Sequence, residues 1–302
     1  MPLRHRMEFT MVGQRAELVD EAIENERPSR AGEDEPYFYY RYQAGHPVLN
    51  VRGNAAPRKL HREDLALDQS VLSQRKDPDQ YPELTYLGNT YSQIRFFREW
   101  NLGRNTQPRR PQPTDLASDF LRDDAANIAL VLNDLEHRSD LRSSLVSQLK
   151  SADETIVDFS TKVQGGTIQL YLHYEGLKAP VPATRLSDGT VRYLCLLTIL
   201  CHPDPPPLVC IEEPELGLHP DLLPGLADLL IEASHRTQLV VTTHSDTLVD
   251  GLTKVPEAVV VCEKRLGSTE MTQRTASELA EWLKEYGMGQ LWRRGEIGGN
   301  RW

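Results

Sequence analysis

Three carboxylates follow a short apolar run in PPPLVCIEEPELGLHP, residues 205–220. The run Leu208–Ile211 lacks the polar alternation of a half-wetted strand and reads as a short buried one. Glu212 and Glu213 then stand at a strand end, where an ionised carboxylate is expensive to desolvate unless something pairs with it. Acids so placed can hold a water of a bound metal or take a proton from a nucleophile. The segment VVTTHS (240–245) ends a second apolar run with His244. RLSDGT (185–190) sets Ser187 and Gly189 at the start of a helical pattern, where a hydroxyl and open N–H groups make an anion site. Each feature alone has a plainer reading: Ser187 as a helix cap, EEPE as a solvated acidic turn, and His244 as a structural histidine.

The elements that must position these residues alternate from residue 184 onward. Helices are predicted at about 190–202, 220–235 and 246–252, and strands at about 207–212, 238–243 and 257–262. Such alternation implies βαβ units and a mostly parallel sheet covered on both faces, with ligands at the carboxyl ends of the strands. Upstream, MEFTMV, AELVDEAIE, PYFYYRYQ and PVLNVRG form four short runs separated by stretches such as NERPSRAGEDEP and QAGHP, the pattern of an antiparallel meander. A helical stretch near PELTYLGNTYSQIRFF precedes the connector GRNTQPRRPQPTD, where prolines flanking Arg109 and Arg110 indicate a solvated linker rather than a phosphate contact. Residues 118–151 are helical by period, with Ser139-Asp140 as a cap between two helices. TIVDFSTKV and TIQLYLHYE flank Gly165-Gly166 as a hairpin.

The net charge of −10 argues against bulk attraction to nucleic acid or anionic membrane, while leaving room for a local basic stripe. No apolar run approaches the length of a bilayer span, and MPLRHRMEFTMVG has no signal-peptide core. The four cysteines form no C-x-x-C pair, which favours free thiols in a reducing cytoplasm over a zinc site.

In order and spacing, LVCIEEP resembles a Walker B segment, ELGLHP a D-loop, VVTTHS a switch-histidine strand and RLSDGT an ABC signature. Together they resemble the C-terminal half of ABC-type ATPases of the SMC/RecF-like branch, nearest to the AAA_21 group of bacterial ATPases, whose chains end in a similar GEIGGNRW. The resemblance implies an α/β fold of the ABC-ATPase-like P-loop NTPase type: a mostly parallel C-terminal sheet, an antiparallel N-terminal β-meander and a helical subdomain. It implies ATP and Mg²⁺ as ligands, Glu212 on the metal side, Glu213 as general base and His244 on the γ-phosphate. Ser187 and Gly189 would meet the nucleotide of a second copy, making a homodimer through signature and D-loop, and Gln74 is the candidate Q-loop residue, with Gln69 and Gln80 close enough to compete.

Three departures from the pattern stand out. Glu212 replaces the usual Asp, Asp188 replaces the usual second glycine of the signature, and no G-x-x-x-x-G-K-[ST] occurs in the 302 residues. The expectation is that a strand, the P-loop and its helix, which come before this point in the resembled group, are missing from this chain. The sequence is therefore read as one truncated ATPase domain: meander 1–60, helical subdomain and connector 61–151, and a signature, Walker B and switch-histidine lobe 152–302. Two function classes follow. One is an ATPase coupling nucleotide-dependent dimerisation to a DNA or protein partner. The other is a non-catalytic interaction or regulatory module that keeps the fold.

Overall fold

The computed structural model describes residues 2–28, 35–43, 46–50, 58–59, 66 and 68–299. Parts of NERPSRAGEDEP and QAGHP, the end of PVLNVRG, the boundary expected near residue 60 and the last three residues of GEIGGNRW lie outside these. The chain divides into two compact units, Met1–Gln93 and Ile94–Trp302.

In the first unit, strands β1 (Leu3–Val12), β2 (Arg15–Asn25), β3 (Phe38–Gln43), β4 (His46–Leu49) and β5 (Arg58–Lys59) pair in chain order as an antiparallel meander. The expected meander is present, with a fifth strand the sequence did not signal. Helices α1 (Val71–Gln74) and α2 (Pro82–Ser92) add Val71, Leu72, Leu84 and Leu87 to a core with Leu18, Ile23, Tyr40 and Leu49. Two carboxylates are buried among these strands, and each is satisfied. Glu21 accepts from His5 Nε2 at 3.0 Å, the Val71 amide at 3.0 Å and the Ser70 hydroxyl. Glu24 accepts from Arg4 Nε at 2.9 Å and Arg41 Nη2 at 3.2 Å.

The second unit begins with β6 (Arg95–Phe97) and β7 (Gln112–Pro113), then the helices α3 (Ile128–Glu136) and α4 (Ser139–Ala152). The expected cap between these helices is not made: Arg138 is the capping residue and supplies no side-chain bond, while Ser139 is already the first helical residue. Strands β8 (Ile156–Gln164) and β9 (Thr167–Tyr174) form the expected hairpin. Gly165 and Gly166 turn it with φ of +57° and +74°, the left-handed pair that a two-residue hairpin loop demands. The other edge of β9 carries β7 and β10 (Val181–Pro182).

The remaining elements are α5 (Asp188–Leu200), β11 (Leu208–Glu212), α6 (Leu223–Ser234), β12 (Gln238–Thr242), α7 (Asp246–Gly251), β13 (Val260–Arg265), β14 (Ser268–Gln273), α8 (Ala276–Leu279) and α9 (Met288–Arg294). Helix α5 is apolar around nearly its whole circumference, and Val191 and residues 193–200 are all buried, as a central core helix requires. It shares one core with Phe97, Val209 and Ile211 of the parallel sheet and with Leu226, Leu229 and Leu230 of α6. Each such Leu or Ile contributes roughly 1.5–3 kcal/mol by burial.

The parallel sheet departs from expectation in two respects. Its order is β12-β11-β6, so the third strand comes from residues 95–97 rather than from the C-terminal run. The run near 257–262 becomes β13, which pairs antiparallel with β14 in a separate ribbon. Among the described residues the sheet is also covered on one face only: Phe96 and Val240 on the other face remain 46% and 48% exposed. Sheets built from parallel strands ordinarily bury both faces.

Burial pushes the Glu24 carboxyl up, but hydrogen bonds from Arg4 and Arg41 outweigh it and hold it below the ordinary 4.5. A carboxylate with a depressed folded-state pKa stabilises fully above its unfolded value, and that contribution drains as pH falls through the lower folded one. Glu24→Gln should therefore cost about 1–3 kcal/mol at pH 7. It should also flatten the loss of stability below about pH 4.5, read from denaturant midpoints at pH 7, 5 and 3. Equal midpoints for variant and parent at pH 7 would contradict this.

Candidate active site

The parallel register fixes what lies together at the carboxyl edge. Ile211 is level with Phe97 and Val241, and Glu212 is level with Thr242. One residue beyond, the Glu213 amide donates to the Thr242 carbonyl at 2.9 Å. Glu213 has φ of +44°, a left-handed conformation that costs a non-glycine residue about 1–3 kcal/mol and tends to occur where side-chain aim matters. That backbone brings Glu213 Oε1 to 3.5 Å from His244 Nε2, with Glu213 30% and His244 64% exposed. Glu212, Glu213 and His244 thus share one sheet edge, with Glu212 exposed.

Glu215 holds this edge in shape, a role the sequence reading did not give it. Its Oε1 accepts from the Thr243 hydroxyl at 2.5 Å and from the His244 amide at 3.0 Å. Its Oε2 is buried and meets no hydrogen-bond donor among the described residues. Thr243 Oγ1 in turn accepts from the Ser245 amide at 2.9 Å, and Ser245 caps α7 through the Leu248 amide at 3.2 Å. Arg192 of α5 lies over the Trp100 ring at 5.4 Å, and burial pulls its guanidinium below the ordinary value despite opposing influence from Cys195 and Glu215.

Ser187 and Gly189 occupy a second locus. Ser187 caps α5, its Oγ accepting from the Thr190 amide at 3.0 Å. A Cβ on Gly189 would lie 2.7 Å from the Gly217 carbonyl oxygen, so glycine alone permits this approach of helix to loop. Ser187, Gly189, Tyr193, Gly217 and His219 line a cavity of about 610 Å³ whose wall includes neither Glu213 nor His244. Gln74 belongs to the other unit. Its amide is engaged locally, accepting from the Ala66 amide at 2.7 Å and donating to the carbonyls of Ala66, Gln69 and Ser70.

The expected solvated linker at Arg109 is a correction. Arg109 is 2% exposed, and its guanidinium reaches the chain just before α5. Nε donates to the Leu102 carbonyl at 2.6 Å, Nη1 to the Ala183 carbonyl at 3.2 Å and to that of Leu186, and Nη2 to Asp188. The flanking prolines fix the approach of the chain and do not keep the arginine in water.

The chemistry of the acidic edge suits a hard cation, since its side-chain donors are carboxylate oxygens. No cluster of three or more His, Cys, Asp or Glu able to hold a metal forms among the described residues. The carboxylates of Glu212 and Glu213 are hard oxygen donors, of the kind that Mg²⁺ takes one or two of together with substrate phosphates and water. No helix among the described residues is long and apolar enough to cross a membrane.

No curated protein matches the chain. Among solved structures, an SMC head bound to the C-winged helix domain of ScpA is 15% identical, with a TM-score of 0.46, covering 87% of this chain and 76% of that one. A structure described under ATP-driven dimerization and DNA stimulated activation of SMC ATPases is 14% identical, with a TM-score of 0.38, covering 51% and 95%. The Smc head with an extended coiled coil bound to the C-terminal domain of ScpA, from Pyrococcus furiosus, is 13% identical, with a TM-score of 0.40; this chain spans 44% of its length and the match covers 54% of this chain. The AAA_21 family, described as "AAA domain, putative AbiEii toxin, Type IV TA system", matches residues 12–250. With most of its length inside that match, the chain belongs to the AAA_21 family of ATPase-type domains.

Proposed function

We propose that this chain binds and hydrolyses ATP as part of an ABC-type, SMC/RecF-like ATPase whose nucleotide-dependent dimerisation acts on a DNA or protein partner in the cytoplasm. The observation that carries the reading is the Glu213–His244 pair, 3.5 Å apart at the carboxyl edge of two parallel strands. Ligands of open parallel sheets bind at that edge.

In this reading Glu213 takes the proton from the water that attacks the γ-phosphate, and its strained backbone sets the carboxylate's direction. His244 donates to the γ-phosphate as charge develops, held in place through its amide by Glu215. Glu212 is the residue that would hold a water of Mg²⁺, an ion that offsets phosphate charge when bound with the nucleotide. Ser187 and Gly189 offer the start of α5 to the nucleotide of a second copy, with Gly217 of the D-loop packed behind them. Gln74 is kept as the Q-loop candidate, although its amide already has local partners. The whole chain is one ATPase domain in three zones: 1–60, 61–151 and 152–302.

The phosphate cradle is proposed to come from outside these residues, as a P-loop and its helix supplied upstream or by another subunit. Two observations support this. The residues gathered at the edge are acidic, and the outer face of β6, β11 and β12 leaves Phe96 and Val240 open for an apolar helix to cover. The 302-residue chain alone should then bind Mg·ATP weakly or not measurably by calorimetry, since its sequence has no G-x-x-x-x-G-K-[ST] to supply a backbone nest and lysine for the β- and γ-phosphates. Micromolar affinity would show a phosphate site elsewhere in the chain.

With the P-loop supplied, Glu213→Gln should lower turnover by about 10²–10⁴-fold while ATP affinity survives, because the lost group is a general base rather than a phosphate ligand. Glu212→Gln should instead weaken the Mg²⁺-dependent part of binding. Parental turnover in Glu213→Gln would move the base elsewhere, with Glu215 next in line. No turnover in any form, with binding intact, would favour the interaction-module reading.

A further inference from the structure

Arg109 is the one basic side chain that bonds directly to the segment leading into α5 among the hydrogen bonds described for residues 183–188. Its four contacts tie three stretches of chain: Leu102 just before the connector, Ala183 and Leu186 before the helix, and Asp188 in its first turn. The Arg109 side chain is 3% exposed, whereas that of Asp188 is 76% exposed. A buried cation needs a counter-charge and acceptors for its fork of donors, and here four acceptors are present.

Asp188 poses a physical problem that this contact answers. A carboxylate in the first turn of a helix favours the helix dipole, but it repels an anion approaching the same N-terminus. Paired with Arg109, it contributes no net charge there. The carbonyls of Ala183 and Leu186 are meanwhile fixed, which sets the direction in which Ser187 leaves the turn.

We propose that Arg109 is a positioning residue for the start of α5: it holds residues 183–188 in the shape that presents Ser187, and it cancels the charge of Asp188 so that this end of the helix accepts phosphate. The proposal rests on the nucleotide reading above for the identity of the anion. It assigns to the proline-rich connector a part in the site, and it accounts for an acidic residue standing where the resembled signature carries glycine.

The test uses the full chain and four variants: Arg109→Lys, Arg109→Gln, Asp188→Asn and the Arg109→Gln/Asp188→Asn double. Hydrogen exchange read without nucleotide should rise about tenfold or more across 183–191 in Arg109→Gln, with β11 and β12 unchanged. Arg109→Lys should be nearly as loose, since one ammonium cannot reproduce the planar fork, and Asp188→Asn should stay close to the parent. Unchanged exchange in Arg109→Gln, or an equal rise everywhere, would overturn the positioning role.

The charge is read by titrating ATP to millimolar concentration, where an anion bound too weakly for calorimetry still registers, against the Gly189 amide resonance of the labelled chain. Arg109→Gln should weaken the response about fivefold or more, and adding Asp188→Asn should recover most of it, because the unpaired carboxylate is then gone. A purely structural arginine gives no such recovery, and its absence, or a parent resonance that does not respond, overturns the charge role. The exchange arm fails only if Arg109 does not hold the turn, whereas parental turnover in Glu213→Gln fails the nucleotide reading, so the two are told apart.

Discussion

A single carboxylate oxygen, Oε1 of Glu215, takes the Thr243 hydroxyl and the His244 amide together and so fastens the loop after β11 to the end of β12. Without that fastening, the loop after β11 would be held to β12 at this point only by the Glu213 amide on the Thr242 carbonyl. With it, the strain at Glu213 is maintained, because the Glu213 amide is also fixed on the Thr242 carbonyl. Two bonds from the neighbouring strand determine the edge, and the side chains that face solvent inherit their geometry from them. Oε2 of Glu215 is buried with no hydrogen-bond donor among the described residues, a desolvation cost set against the two bonds made by Oε1.

The second locus is built on a similar economy of backbone contact. Gly189 packs against the Gly217 carbonyl, so the loop after β11 and the start of α5 are in direct contact. Because that loop also carries Glu213 and Glu215, the acid–histidine edge and the helix start are joined through residues 213–217.

Much of this was legible in the sequence because apolar runs and turn residues carry their own physics. Leu208–Ile211 and residues 239–241 became adjacent parallel strands, and Gly165-Gly166 became the hairpin turn. The strand ends delivered the acids and His244 to one edge because a parallel register leaves no other arrangement. What was not legible has specific causes. Three residues, Arg95–Phe97, are too short a run to show a period, so β6 was hidden behind a helix. An all-apolar strand looks the same whether one face is covered or two, so the open side of the sheet could not be foreseen. Glu213 precedes a proline, which ordinarily favours extended backbone, and its positive φ runs against that rule. Arg109 looked solvated because its neighbours are prolines, and only the return of residues 183–188 to the same place makes it a core residue. The run before residue 262 turned back through Leu266-Gly267, both with positive φ, to make a hairpin instead of a further parallel strand.

The central claim is that the Glu213–His244 edge acts on a γ-phosphate. A structure of the chain joined by its P-loop-bearing element, with Mg·ADP and aluminium fluoride as the transition-state mimic, tests it most directly. The account expects a fluoride within about 3 Å of His244 Nε2 and an in-line water within about 3 Å of a Glu213 carboxylate oxygen, the distances of ordinary hydrogen bonds. A nucleotide bound with its fluoride group away from this edge, with Glu213 and His244 in contact only with each other, would contradict it.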